Sequence, residues 1–305
     1  GGGLRPGTCT LLEGIPGVGK TTVGLQFIEA GARQGEPGVI VSFEQFPEQL
    51  YADALNFGWD LRALEEQNLL RVVCTSPEVF LDQLSDVGGL MDSLITEIGA
   101  RRLLVDSVAH LANLADTQHE LRPLVYGMLN GIRRAGLTAV ITKEVESANL
   151  QVIPFEEFLV DTVIRLWYQL EADQYRRRWV EVVKSRGQLH SHGRHALVIG
   201  PQGITVYPRH EPQPSGGCPL TAHQQLPKLS TGTPGLDAML GGGIPRGYSL
   251  LVAGSAGVGK TSLALKFMEA GAREGEPGLY ISFEEGDCKL QQLAAGFGLD
   301  LPRRQ

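Results

Sequence analysis

The sequence predicts an α/β fold: a mostly parallel central sheet flanked by helices and finished by an antiparallel C-terminal edge, then a truncated tandem copy. Three observations carry this. Apolar runs alternate with amphipathic stretches from Thr8 to Thr142, the pattern of βαβ units around a parallel sheet. From Val163 to Tyr207 short strand-like runs follow one another across polar turns, and a parallel core with an antiparallel edge is a common mixed sheet. A shift of 240 places lays Gly1–Leu61 over Gly241–Leu301 without a gap, with roughly half the positions identical, far beyond chance at ordinary residue frequencies.

In order, Thr8–Glu13 is expected as a strand and Lys20–Gln34 as a helix ended by Gly35 and Pro37. Strand Val39–Phe43, a helix near Pro47–Phe57 and strand Leu69–Cys74 follow. One long helix is expected over Val79–Ile98, then strand Arg102–Asp106, helix Leu121–Ala135 and strand Thr138–Thr142. The antiparallel set is Val163–Leu170, Arg177–Lys184, His195–Ile199 and Ile204–Tyr207. The expected domains are 1–207 and 228–305, joined by the proline-containing linker 208–227. Only the second copy has a lead-in, Lys228–Asp237, before its triple glycine, and the second copy stops at Gln305, before anything matching Leu70–Tyr207. The chain is therefore expected to be a piece of a longer one.

At 305 residues with 42% hydrophobic content the chain can bury proper cores. A formal charge of −7 argues against a surface built to neutralise nucleic-acid backbones. Cys9, Cys74, Cys218 and Cys288 lack metal spacing, so free thiols are expected. Neither a spanning apolar run nor a leader is visible, and a cytoplasmic protein without membrane contact is expected.

Gly14-Ile15-Pro16-Gly17-Val18-Gly19-Lys20-Thr21 satisfies GxxxxGK[ST] between a strand and a helix, and Thr22 follows it on the helix. Glycines let the backbone N–H groups turn inward around phosphates, and the helix points its positive end at the same anion. Lys20 supplies a cation to the β- and γ-phosphates, and Thr21 a hydroxyl to Mg²⁺. Gly254-Ser255-Ala256-Gly257-Val258-Gly259-Lys260-Thr261, followed by Ser262, repeats the motif. The plain alternative is a glycine-rich turn, but two accidental matches in register are improbable. ATP and Mg²⁺ are the expected cofactors.

Asp106 ends an apolar strand and is expected to hold Mg²⁺; its alternative is a turn cap. Glu44, answered by Glu284, ends the strand that follows the Lys20–Gln34 helix and is expected to polarise the attacking water, or else to complement a helix dipole. Lys184 and Arg186 lie on one side of a strand end and could reach a neighbouring subunit's phosphate as a finger, or simply be solvated. Arg176–Arg178 is expected at a charged hairpin tip, and His190, His192 and His195 as loop histidines without metal partners.

Taken together these residues resemble the RecA-like P-loop ATPases of the KaiC family. The resemblance is carried by Ser230–Asp237, Gly241–Gly247, the Ser-Phe-Glu strand ends, Val105-Asp106-Ser107, Glu156-Glu157-Phe158 and Lys184-Ser185-Arg186-Gly187. It implies homo-oligomeric rings, hexameric in the family, with ATP held between subunits and hydrolysed slowly, and an unidentified protein partner. On that pattern Glu44 is the catalytic glutamate, and Lys184 and Arg186 reach the neighbour's nucleotide. Gln45 stands where the family's usual pair has a second glutamate, which implies weakened hydrolysis at the first site. The serine/threonine autokinase activity of the family's second domain would depend on residues beyond Gln305.

Two other readings remain: a non-catalytic scaffold that ATP holds together, and a RadA-like DNA-dependent ATPase. The second is disfavoured, because 143–154 carries two acids against one base. No guanine-reading NKxD follows the motif.

Overall fold

In the computed structural model, nine strands join one sheet in the order β3-β2-β4-β5-β1-β6-β7-β8-β9. They are β1 (Cys9–Gly14), β2 (Gly38–Ser42), β3 (Leu70–Cys74), β4 (Arg102–Asp106), β5 (Thr138–Glu144), β6 (Thr162–Leu170), β7 (Arg176–Ser185), β8 (Arg194–Gly200) and β9 (Gly203–Tyr207). The pairings from β3 through β6 are parallel, and those from β6 to β9 are antiparallel. The structure describes residues 3–86, 88–115, 117–145, 157, 159–209 and 226–299. It divides the chain into two units, Gly1–Pro212 and Gln213–Gln305.

Strand side chains alternate between faces, and the central strands are apolar on both, as a sheet covered on two sides requires. Leu11, Val39, Val41, Leu103, Val105 and Ile141 pack beneath helices α4 (Pro77–Ser85), α5 (Leu90–Ile98) and α6 (Gln118–Arg134). Leu12, Ile40, Leu104 and Val140 face α1 (Lys20–Ala32), α2 (Pro47–Leu55) and α3 (Leu61–Glu66). Helix α1 sits close over β4 because residue 24 is glycine. A Cβ there would meet Leu104 at 2.4 Å.

The single helix expected over Val79–Ile98 is in fact two. Asp86 takes extended backbone at the end of α4, and Gly89, also extended, precedes α5. Two adjacent glycines, Gly88 and Gly89, outweigh the apolar periodicity, and Asp92 Oδ2 accepts from the Gly88 N–H at 2.9 Å. Two short helices lie below the length at which periodicity is visible. One is α3, capped by Asp60; the other is a 3₁₀ helix at Val108–Leu114, capped by Ser107. Arg176–Arg178 are not a hairpin tip. They open β7, and the turn precedes them, closed by Glu171 N–H donating to Tyr175 O at 2.9 Å. His195 is likewise a buried residue of β8.

The second unit comprises β10 (Lys228–Leu229), α7 (Pro234–Met239), β11 (Ile244–Pro245), α8 (Lys260–Arg273) and α9 (Asp287–Gly296). Asp237 ties its lead-in together, accepting from Ser230 Oγ at 2.6 Å and from Thr231 N–H at 2.7 Å and Oγ1 at 2.6 Å. Those donors hold its carboxyl below the usual range. The segments answering β1 and β2 form no strand among the described residues, and Leu251 and Phe283 are 89% and 97% exposed.

Candidate functional site

Parallel strands present their carboxyl ends at one sheet edge, where ligands of open α/β sheets bind. In the first unit this edge gathers Gly14 from β1, Glu44 after β2, Asp106 from β4 and Glu144 from β5. A cavity of about 410 Å³ opens there, lined by Gly17, Gly19, Lys20, Thr21, Thr22, Ser42, Glu44, Gln45, Asp106, Ser107 and Glu144 among others.

The turn between β1 and α1 ends at Gly19, whose φ of 110° is open to glycine and costly to other residues. No side chain caps α1, so its first N–H groups remain for a ligand, and the helix dipole adds positive potential there. Lys20 is 6% exposed. Its ammonium donates to Gly14 O and Ile15 O, both at 3.1 Å, and stands 3.3 Å from Glu144 Oε1. The cation is thus held on the loop's own carbonyls and one carboxylate. Ile15 and Pro16 complete the turn, and Val18 is buried at 1% exposure.

Thr21 Oγ1 donates to Asp106 Oδ2 at 2.8 Å, and Thr142 Oγ1 donates to Asp106 Oδ1. These are oxygen donors, the chemistry of Mg²⁺ rather than of zinc. No cluster of three His, Cys, Asp or Glu suited to a metal occurs among the described residues. That fits an ion held by one carboxylate, one hydroxyl, phosphate oxygens and water.

Glu44 and Gln45 follow a short turn in which Gln45 N–H donates to Ser42 Oγ at 3.0 Å. The Gln45 Oε1 is buried without a hydrogen-bond partner. Glu44 Oε1 lies 2.6 Å from His110 Nε2 on the 3₁₀ helix that follows Asp106.

Lys184 and Arg186 are not part of this cavity. The register places Lys184 beside Val163, which pairs with Leu11, three residues back along β1 from Gly14. Lys184 Nζ donates instead to Glu157 O at 2.6 Å and Val160 O at 2.8 Å. Desolvation, then Arg186, lowers its pKa. Both cations lie towards the sheet edge opposite the phosphate turn. Residues 146–156 and 158, which include two members of the Glu156–Phe158 motif, lie outside the described residues, as does most of the expected linker.

Three residues at the site were not assigned to it by sequence reasoning. Glu144 ends β5 just as Asp106 ends β4, so the strand-end argument could have found it. Arg178 donates from Nε to Val18 O at 3.2 Å and lies 4.4 Å over the Tyr168 ring, a contact that only the β6–β7 register discloses. His110 sits on an element with no sequence signal.

Beneath the turn, Glu13 is fully buried and Arg165 bridges it to Glu157, with Arg165 Nη2 to Glu157 Oε1 at 2.9 Å. Glu13 Oε2 has no partner. Burial, and secondarily Glu13, raises the Glu157 carboxyl.

In the second unit Lys260 Nζ donates to Gly254 O and Ser255 O, both at 2.8 Å, and Gly259 takes a φ of 96°. Glu285 N–H donates to Ser282 Oγ at 3.0 Å, repeating the turn at Gln45, with Glu284 at the sequence position that Glu44 holds in the first unit. Ser255–Val258 form the loop, and Thr261 and Ser262 begin α8.

A family profile described as the KaiC ATPase matches residues 1–211 and 229–304. Among curated proteins, the circadian clock oscillator protein KaiC of Prochlorococcus marinus strain MIT 9313 is 32% identical over 98% of this chain and 60% of its own length. Its namesake from Parathermosynechococcus lividus is 33% identical over 98% of the chain and 56% of its own length. That from Parasynechococcus marenigrum is 31% identical over 100% and 60%. The chain spans about three-fifths of the length of these relatives.

Proposed function

The chain belongs to the KaiC ATPase family, and from that premise we propose that its first unit binds ATP with Mg²⁺ at Gly14–Thr22 and hydrolyses it. The observation that carries this reading is the convergence of an uncapped helix start, the Lys20 ammonium and the Thr21–Asp106 pair on one cavity.

Incoming phosphates take the place of the loop carbonyls and Glu144 as partners of Lys20. Thr21 and Asp106 would hold Mg²⁺, which neutralises charge on the β- and γ-phosphates. Glu44 accepts a proton from a water whose oxygen bonds to the γ-phosphorus. The bridging P–O bond breaks, and its electron pair leaves with ADP. Lys184 and Arg186, remote from their own turn, serve the nucleotide of the next copy in a homo-oligomeric ring, hexameric as in the family. Nucleotide state then controls assembly or binding of a protein partner. Glycine-loop residues Gly254–Ser262 form a second ATP site, with Thr261 on the metal and Glu284 answering Glu44. A serine/threonine autokinase function would draw on further residues of a longer chain.

We place the protein in the cytoplasm without membrane contact; no helix among the described residues is long and apolar enough to cross a bilayer. The test is Mg²⁺-dependent phosphate release, lost in Lys20→Ala and Glu44→Gln. Undiminished release by Glu44→Gln would remove the general-base role. Gln45 favours one second reading, an ATP-held scaffold with little turnover. Single-turnover hydrolysis set against nucleotide-dependent sedimentation separates the two.

A further inference from the structure

We infer that His110 is the positioning residue for the general base, and this rests on the reading of Glu44 given above. The two groups come from different elements with different tasks. Glu44 stands at the carboxyl end of β2 and lines the cavity, and its side chain is 65% exposed. A glutamate that exposed ordinarily samples several rotamers and loses side-chain entropy when it is fixed. His110 removes that freedom from behind, its Nε2 2.6 Å from Glu44 Oε1.

The histidine is itself held. Its ring stands edge-on to Phe43 with centroids 6.2 Å apart, and Phe43 in turn meets Phe80 of α4 at 5.8 Å. The 3₁₀ helix beneath it starts at Ser107, whose Oγ accepts from Ala109 N–H at 3.3 Å and donates to Thr142 O at 3.2 Å. His110 N–H donates to Ser107 O at 3.3 Å. One rigid step therefore runs from Asp106, the proposed metal residue, to His110.

The hydrogen bond uses Oε1 as acceptor and leaves Oε2 to receive the water's proton. Donation to one carboxylate oxygen fixes the plane of the group, the kind of orientation on which proton transfer over about 3 Å depends. His110 touches neither nucleotide nor water in this scheme; it acts through Glu44.

The test measures steady-state phosphate release and Mg-ATP binding for the intact protein and for His110→Ala, His110→Gln and Glu44→Gln. A positioning role predicts that His110→Ala lowers kcat by about 10- to 100-fold, the scale of a misplacement near 1 Å. KM and the calorimetric affinity then stay within about twofold, because the phosphate turn is intact. His110→Gln, whose amide nitrogen can donate from nearly the Nε2 position, recovers most of the rate. The inference is overturned by an unchanged kcat in His110→Ala, by equal losses in the Ala and Gln variants, or by lost nucleotide binding, which would mark a structural role. In each case a dead Glu44→Gln leaves the general-base reading standing. An active Glu44→Gln brings down both.

Discussion

Replacing Arg165 by methionine isolates a buried ion cluster of the first unit. Arg165 is 12% exposed and bridges two carboxylates, Glu13 at 0% and Glu157 at 7%. Methionine keeps the volume and removes the charge, leaving two buried carboxylates without the guanidinium that bridges them. Removing one partner of a buried pair costs about 3–5 kcal/mol, a large part of the ~5–15 kcal/mol that holds a domain. At a urea dependence of about 2 kcal/mol per molar, the midpoint falls by roughly 1.5–2.5 M. The sign of the pH dependence follows from Glu157, whose carboxyl is raised by burial and then by Glu13. A raised carboxyl contributes stability below its unfolded value near ~4.3, and that contribution is lost as pH rises through the folded value. Without Arg165 the largest opposing attraction is gone and only Lys143 and Lys184 remain, so the deficit is smaller at pH 5 than at pH 8. Fluorescence reports the first unit alone, because all three tryptophans (Trp59, Trp167 and Trp179) lie in it. A deficit below about 1 kcal/mol at pH 7, or one equal at pH 5 and pH 8, would refute the reasoning.

Asp106→Asn should raise the Mg²⁺ concentration needed for half-maximal phosphate release by about tenfold or more, since one charged oxygen of the site becomes neutral; a magnesium titration reads this directly. Cys9 is fully buried, and burial pushes its thiol up to about 11. At pH 8 an aromatic disulfide reagent should therefore label exposed Cys74 and Cys288 quickly and Cys9 only after denaturant, as peptide mass mapping would show. Asp237→Asn removes an anion held by three donors from Ser230 and Thr231. Because that carboxyl is depressed, its contribution is present above the unfolded range near ~3.9 and lost as pH falls through the folded value. Amide exchange at Thr231 should accelerate in the variant at pH 7 but differ little from the parent once pH falls below both values.

The strands were legible because each is a short apolar run bounded by turn residues, and Arg102–Asp106 falls where the pattern puts it. The turn between β1 and α1 was legible because its pattern is local: nine consecutive residues, Gly14–Thr22, make it. What local pattern could not supply was register. The contact of Arg178 with Val18 spans 160 positions, and the Glu13–Arg165 ion pair spans 152; no spacing rule couples such distant residues. Helix breaks were misjudged where glycines oppose periodicity, as at Gly88–Gly89. His110 was invisible because a 3₁₀ helix of seven residues has too few turns to show a face.

Strand β1 has its neighbours far downstream: Leu11 pairs with Ile141 and with Val163. During synthesis at about 5–20 residues per second, β1 waits roughly 7–30 s for those partners to emerge. Throughout that interval Leu11 and Leu12, buried in the finished fold, are unsheltered. A newborn chain of this design is therefore a natural client for co-translational holdases, and slowing the ribosome between codons 14 and 138 should lengthen its dependence on them.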